Sequence, residues 1–155
     1  AGAAALAARA AFRTGVGKVV VVADEASRPA IHALVAEATT AGLLPGSGLT
    51  ALAAGPGLGT STVARGLLEA CLATSLPVVL DADALNLLAG NPEVLRGRSS
   101  PTVLTPHPGE ASRLLGVATG VVAADPENDA HAASRWNIGT SSDFASLDDP
   151  TAGSR

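Results

Sequence analysis

Three short segments carry the residue types and spacings that could do chemistry. Gly55-Pro56-Gly57-Leu58-Gly59-Thr60-Ser61 follows a strand-like run and opens a helical one. Glycines let the backbone approach a ligand closely, and free amides at a helix start, at the positive end of its dipole, favour a phosphate or other anion. The same residues also make a tight strand-to-helix turn capped by Thr60 or Ser61. Spacing alone leaves these readings level, because the loop matches neither the dinucleotide fingerprint nor a P-loop. Asp81-Ala82-Asp83-Ala84-Leu85-Asn86 ends another strand. If the strand continues, carboxylates at i and i+2 point to one side, where they could hold Mg²⁺ or polarise a hydroxyl. Capping of the next helix is the commoner use of such an Asp and is the reading preferred for Asp83, while Asp81 stays open as a polar or Mg²⁺ contact. In Thr105-Pro106-His107-Pro108-Gly109-Glu110, two prolines fix the backbone around His107. A rigid His at a strand's carboxyl end suits a hydrogen-bonding or stacking contact with a polar ligand, and this reading is preferred. The alternative is a surface His at a helix start, with Pro108 near the first turn and Glu110 against the dipole.

The elements that must position these loops alternate along the chain. Gly2 to Thr14 has strong helix propensity, with Arg9 and Arg13 on one face. Val19 to Val22 reads as a strand buried on both sides, and Ile31, Leu34, Val35 and Ala38 as one amphipathic helix running to about Gly42. After a Gly/Pro/Ser loop come a strand at Thr50 to Ala54 and a helix from Thr60 to Thr74 with Val63, Leu67 and Cys71 on its apolar face. Strands follow at Pro77 to Leu80 and Thr102 to Leu104, with helical patterns at Ala84 to Leu88, Ala111 to Leu115 and Asp129 to Trp136. Short apolar strands alternating with helices predict an α/β fold with a mostly parallel sheet and helices on both faces. In such sheets ligands bind beyond the carboxyl ends of the strands, where all three loops fall.

Composition narrows the field further. The chain has 155 residues, room for one domain, and 47% are hydrophobic. Many of those are alanine, with only 2 Phe, 1 Trp and no Tyr or Met, so Leu and Val must supply most of a modest core. The net charge of -4, without a basic cluster, argues against nucleic acid or an anionic membrane as partner. A single Cys71 excludes an internal disulfide and, with His32, His107 and His131, fits no zinc spacing. The absence of a long apolar stretch or secretory signal predicts a cytoplasmic protein. A helical pattern opening at Gly2 suggests part of a longer domain. The apolar periodicity ends at Trp136, so residues 1–136 are expected to form the folded unit and 137–155 a disordered tail. A sheet lacking later strands would leave an unpaired edge and favour a homo-oligomer.

The three loops, in this order and spacing and followed by Leu114-Leu115-Gly116, resemble the ADP- or ATP-dependent NAD(P)H-hydrate dehydratases. The opening Gly2-Ala3-Ala4 through Ala10-Ala11 and Arg13-Thr14-Gly15 is similar to that family too. The resemblance covers about Gly2 to Trp136, roughly the first half of the family's domain. It implies a ribokinase-like fold and a repair reaction: hydrated NADH or NADPH is dehydrated to the normal cofactor, with ADP or ATP, and Mg²⁺, as cofactors. Carried over, the family's substrate contacts fall on Ala3, Gly59 and His107. The family's later Lys-Gly segment and Gly-Gly-Ser-Gly-Asp motif, which bind the nucleotide and supply the catalytic Asp, have no counterpart in these 155 residues. The resemblance therefore implies a truncated dehydratase, inactive alone. Two alternatives stand beside it: a non-catalytic dinucleotide-binding module, and a small-molecule kinase of the same superfamily.

Overall fold

The computed structural model describes residues 1–124 and 139–140. Its elements run α1 (Gly2–Arg13), β1 (Val20–Val22), α2 (Arg28–Leu34), β2 (Thr39–Ala41), β3 (Leu52–Ala54), α3 (Thr62–Leu72), β4 (Val78–Leu80), α4 (Asp83–Leu88), a 3₁₀ turn (Pro92–Gly97), β5 (Thr102–Leu104), α5 (Pro108–Leu115), α6 (Thr119–Ala124) and β6 (Gly139–Thr140). The strands form two sheets, β1-β2 and β3-β4-β5-β6, and every pairing is parallel. The expected α/β alternation is present. Among the described residues no helix is long and apolar enough to cross a membrane.

Each sheet has its own core. Val21 of β1 is buried with Ala5 and Ala8 of α1, Ile31 of α2, and Val35 and Ala38 beyond it. The larger cluster joins Val78 and Leu80 of β4 and Leu104 of β5 to Ala64 and Leu68 of α3, Leu85 and Leu88 of α4, Leu95 of the turn and Leu114 of α5. The opposite face of β3-β4-β5 is less well covered: Ala53 is exposed, Val103 half-buried and Val79 39% exposed. Parallel sheets are ordinarily buried on both faces. Here the described residues bury Val78 and Leu80 and leave Val79 partly open.

Three expected elements differ. The long helix through Ala38 ends at Leu34, because Val35 turns to φ -143°, ψ 83° and Thr39 to Ala41 become β2 beside Val20 to Val22. Ile31, Val35 and Ala38 share one core although only the first lies in helix, and Leu34 is exposed. On α3 the buried stripe is Ala64 and Leu68, not Val63, Leu67 and Cys71; Val63 points to solvent. Two adjacent apolar stripes compete on this helix, and the one that packs with Val78, Leu80 and Leu104 is Ala64 and Leu68. Gly139 and Thr140, placed in the expected tail, pair with Val103 and Leu104, and a two-residue strand has no periodicity for a sequence to show. The helix read at Asp129 to Trp136 and the remainder of 137–155 lie outside the described residues.

Arg98 staples the end of the sheet away from the three loops. Its Nη1 donates to the carbonyls of Leu72 and Thr74, its Nη2 to Leu76 O at 2.7 Å and its Nε to Thr102 Oγ1 at 3.0 Å. The end of α3, the approach to β4 and the start of β5 thus share one cation. Desolvation draws the Arg98 pKa below its ordinary value, and burial pushes the nearby half-buried Cys71 thiol up, the Arg98 charge opposing this only in part.

Replacing Arg98 with Leu should cost about 2 kcal/mol, since three carbonyls lose a charged donor. Arg98→Lys should recover only part, having no planar fork. Thermal denaturation of both variants checks this, and an unchanged Arg98→Leu midpoint would contradict it. The open Val79 face and exposed strand edge should also make the chain self-associate as concentration rises, so strictly monomeric sedimentation throughout would count against that expectation.

Candidate functional site

Parallel register brings the site together. Ala54, Leu80 and Leu104 end their strands side by side, so the loops beginning at Gly55, Asp81 and Thr105 leave the sheet along one rim. Asp81 N–H donates to Ala54 O at 3.0 Å and Thr105 N–H to Leu80 O at 3.1 Å, continuing each ladder by one residue.

The glycine loop uses three glycines for three different reasons. Gly55 has φ +128°, and a Cβ there would lie 1.7 Å from the Asp81 carbonyl oxygen, so no side chain fits. Gly57, at φ +72°, would bring a Cβ to 3.3 Å from the Ala3 methyl, which places the start of α1 directly against the loop. Gly59 has φ +76° and nothing within 4 Å of a built Cβ, so its face is open. The helix that follows is capped by Ser61, whose Oγ accepts the Ala64 N–H at 3.2 Å.

Asp83 departs from its expected role. The N-cap of α4 is Ala82, with no side-chain cap, and Asp83 Oδ2 instead accepts the Gly59 N–H at 2.8 Å across the rim. The strand stops at Leu80 and Asp83 lies within α4, so the continuing strand that would set Asp81 and Asp83 side by side does not form. Ala82 between them is the one non-glycine residue with positive φ among the described residues, at φ 46°, ψ -117°. Asp81 is half-buried, and its side chain has no hydrogen-bond or ion-pair partner among the described residues. No group of three or more His, Cys, Asp or Glu that could hold a metal ion occurs among those residues.

His107 is the N-cap of α5. Its Nδ1 accepts the Gly109 N–H at 3.0 Å, while Glu110 Oε2 accepts the His107 N–H at 3.0 Å, completing a reciprocal capping box with Pro108 in the first turn. Glu110 is buried, and its Oε1 lies 3.3 Å from His107 Nε2. A ring nitrogen that accepts an N–H carries no proton, so the neutral ring is protonated on Nε2, toward Glu110. Nδ1 is thus engaged in the cap and Nε2 faces Glu110, while the side chain stays 62% exposed. The helix-start geometry offered as the alternative reading is present in full.

The loops are linked in series. Ala3 touches Gly57, Gly59 is bonded to Asp83, and Asn86 Oδ1 of α4 accepts from Arg113 Nε of α5 at 2.9 Å. Sequence reasoning missed the Asn86–Arg113 link, the strained Ala82 and the clamp by Glu110. Of these, only Glu110 had a visible signal, three residues after His107. Two hollows in the surface lie away from this chain of contacts, one along Leu6, Arg9, Ala10 and Arg13, the other between Leu44–Leu49 and Thr74–Leu76.

The family model described as NAD(P)H-hydrate dehydratase matches residues 1–141. The chain belongs to this family. It is similar to the bifunctional NAD(P)H-hydrate repair enzyme of Coxiella burnetii, 42% identical over 80% of this chain and 26% of that one. The same identity over the same share holds for the ADP-dependent (S)-NAD(P)H-hydrate dehydratase of Neisseria meningitidis, of which 45% is covered. Among solved structures, the ADP/ATP-dependent NAD(P)H-hydrate dehydratase of Bacillus subtilis, co-crystallised with ATP/Mg²⁺, superimposes with TM-score 0.75 at 30% identity, over 90% of this chain and 52% of that one. The chain therefore spans about half or less of the relatives it matches, and its fold is that of these dehydratases.

The two ends of the glycine loop should respond differently to a methyl group. Gly55→Ala forces a backbone clash and should cost several kcal/mol or prevent folding. Gly59→Ala, with space around it, should cost only about 1 kcal/mol for its left-handed backbone. Denaturation midpoints decide it, and equal losses would show that the Gly55–Asp81 packing has been misread.

Proposed function

We propose that this rim is the substrate-binding wall of an ADP-dependent NAD(P)H-hydrate dehydratase, and that Ala3, Gly59 and His107 contact the hydrated cofactor. The observation that carries the reading is that these three residues, far apart in sequence, stand on elements linked through Gly57, Asp83, Asn86 and Arg113 along the carboxyl ends of parallel strands, where such folds bind ligands. The reaction is loss of water from hydrated NADH or NADPH, with ADP converted to AMP and phosphate. This chain's contribution is positioning. His107 offers a fixed, exposed ring face, Gly59 an open stretch of backbone and Ala3 a small methyl wall.

The described residues do not fit the nucleotide and its metal. Among them Asp81 is a carboxylate outside any three-ligand group, and no Gly-Gly-Ser-Gly-Asp segment occurs in the sequence. ADP or ATP and Mg²⁺ are taken as the family's cofactors, and residues 1–136 as part of a ribokinase-like domain acting in the cytoplasm.

Two measurements test the reading. The 155 residues alone should not restore nicotinamide absorbance to hydrated NADH with ADP or ATP; nucleotide-dependent recovery above the protein-free rate would refute that. NADPH should bind weakly, Gly59→Val should weaken it more than His107→Ala, and both more than wild type. If calorimetry gives identical heats for all three proteins, or none at millimolar NADPH, these loops are turns and the reading fails.

A further inference from the structure

We propose that Asp83 is the positioning and specificity residue of the glycine loop: it holds the Gly59 amide and, by its charge, makes that point of the rim accept an uncharged hydrogen-bond donor of the ligand, a ribose hydroxyl or carboxamide, in preference to a phosphate. This rests on the rim being the hydrated-cofactor wall and specifies which part of that cofactor lies at Gly59.

The first observation is the bond itself. The Gly59 N–H, the amide a phosphate would seek at an open glycine, is already given to Asp83 Oδ2 at 2.8 Å. Gly59 has open space around it, so the bond is not a by-product of tight packing. The second is the backbone that aims Asp83. Ala82 is held at φ 46°, ψ -117°, a conformation non-glycine residues rarely adopt, and its carbonyl and the Asp81 carbonyl still accept amides of α4. Strain kept at that residue turns the next side chain across the rim to the loop.

The third is charge. Among the described residues Arg96 pairs with Glu93, His107 lies against Glu110, and no ion pair reaches Asp83 or Asp81. A carboxylate on the loop amide with no ion-pair partner among those residues, and a second two residues before it, repels a phosphate approaching Gly59. Asp83 Oδ1 has no partner among the described residues and is left to accept from an O–H or N–H. One group thus shapes the loop, opposes an anion and receives a donor.

The test uses amide chemical shifts and exchange in the 155-residue chain, with inorganic phosphate and reduced nicotinamide riboside, which has no phosphate, as probes. In wild type the riboside should move the Gly59 and Thr60 amides and phosphate should not. Asp83→Asn keeps an acceptor for Gly59 and removes the charge, so phosphate should gain roughly fivefold at low salt, a gain that fades as salt is added. Asp83→Ala removes the acceptor, and Gly59 exchange should accelerate at least about tenfold, in line with loss of one charge-assisted hydrogen bond. Should that variant not fold, the Asn variant alone carries the decision. Phosphate shifting these amides equally in wild type and Asp83→Asn, riboside binding indifferent to both substitutions, or unchanged Gly59 exchange in Asp83→Ala would each overturn the proposal. The phosphate and exchange measurements need no nucleotide binding. Failure of NADPH to bind while they come out as expected would remove the hydrated-cofactor reading and leave the Asp83 tether and its charge discrimination standing.

Discussion

The parallel ladder of β3, β4 and β5 brings Ala54, Leu80 and Leu104 to one level, and the residue after each must leave the sheet there. Every feature of the rim inherits that constraint. Gly55 turns away so close to the Asp81 carbonyl that a side chain is excluded, and Asp81 and Thr105 each extend the ladder by one bond before their loops diverge. A slip of one residue would exchange Val79 for Val78 and Leu80 on the covered face and carry all three loops out of alignment. Register and site are therefore protected by the same buried side chains.

That protection is lopsided. The largest fully buried side chains are Ile31, Leu80, Leu85, Leu95, Leu104 and Val78, each worth about 1.5–3 kcal/mol on burial. Five of them belong to the cluster on one face of the β3–β5 sheet. Among the described residues the other face leaves Val79 and Ala53 partly or largely open to solvent. With many alanines in place of larger side chains, the covered face has little in reserve. Arg98, binding three carbonyls and a hydroxyl at the opposite end of the strands, supplies by polar contacts part of what the thin apolar core does not.

What the sequence disclosed follows from how local each signal is. Strands β3, β4 and β5 and helices α1, α4 and α5 were legible because continuous apolar runs, capping residues and glycine turns act within a few neighbours. The end of α2 was hidden because Ile31, Val35 and Ala38 satisfy helical spacing while reaching one core through a helix, a turn and the residue before a strand. The α3 face was ambiguous because two adjacent stripes are comparably apolar. In the site, the capping box at His107 could be read from three neighbouring residues. The bond from Asp83 to Gly59 spans 24 positions, and local propensity assigned Asp83 to its own helix. Long-range polar contacts of this kind leave no periodicity behind.

His107 shows why structural and functional readings of one residue need not compete. The capping box spends Nδ1 on the Gly109 amide and the His107 N–H on Glu110, while Nε2 faces the buried Glu110 at 3.3 Å. The same bonds fix the ring orientation before any ligand arrives, so an exposed aromatic face is presented with little further loss of side-chain freedom. Pro106 and Pro108 restrict the backbone on either side, and Gly109 is kept small because a Cβ there would come within 2.9 Å of His107 Cε1. The whole segment therefore works as a rigid mount for a flat surface. A rim built from a mounted ring, a tethered glycine and a methyl wall is suited to orienting a ligand, with the Asp81 and Asp83 carboxylates beside it.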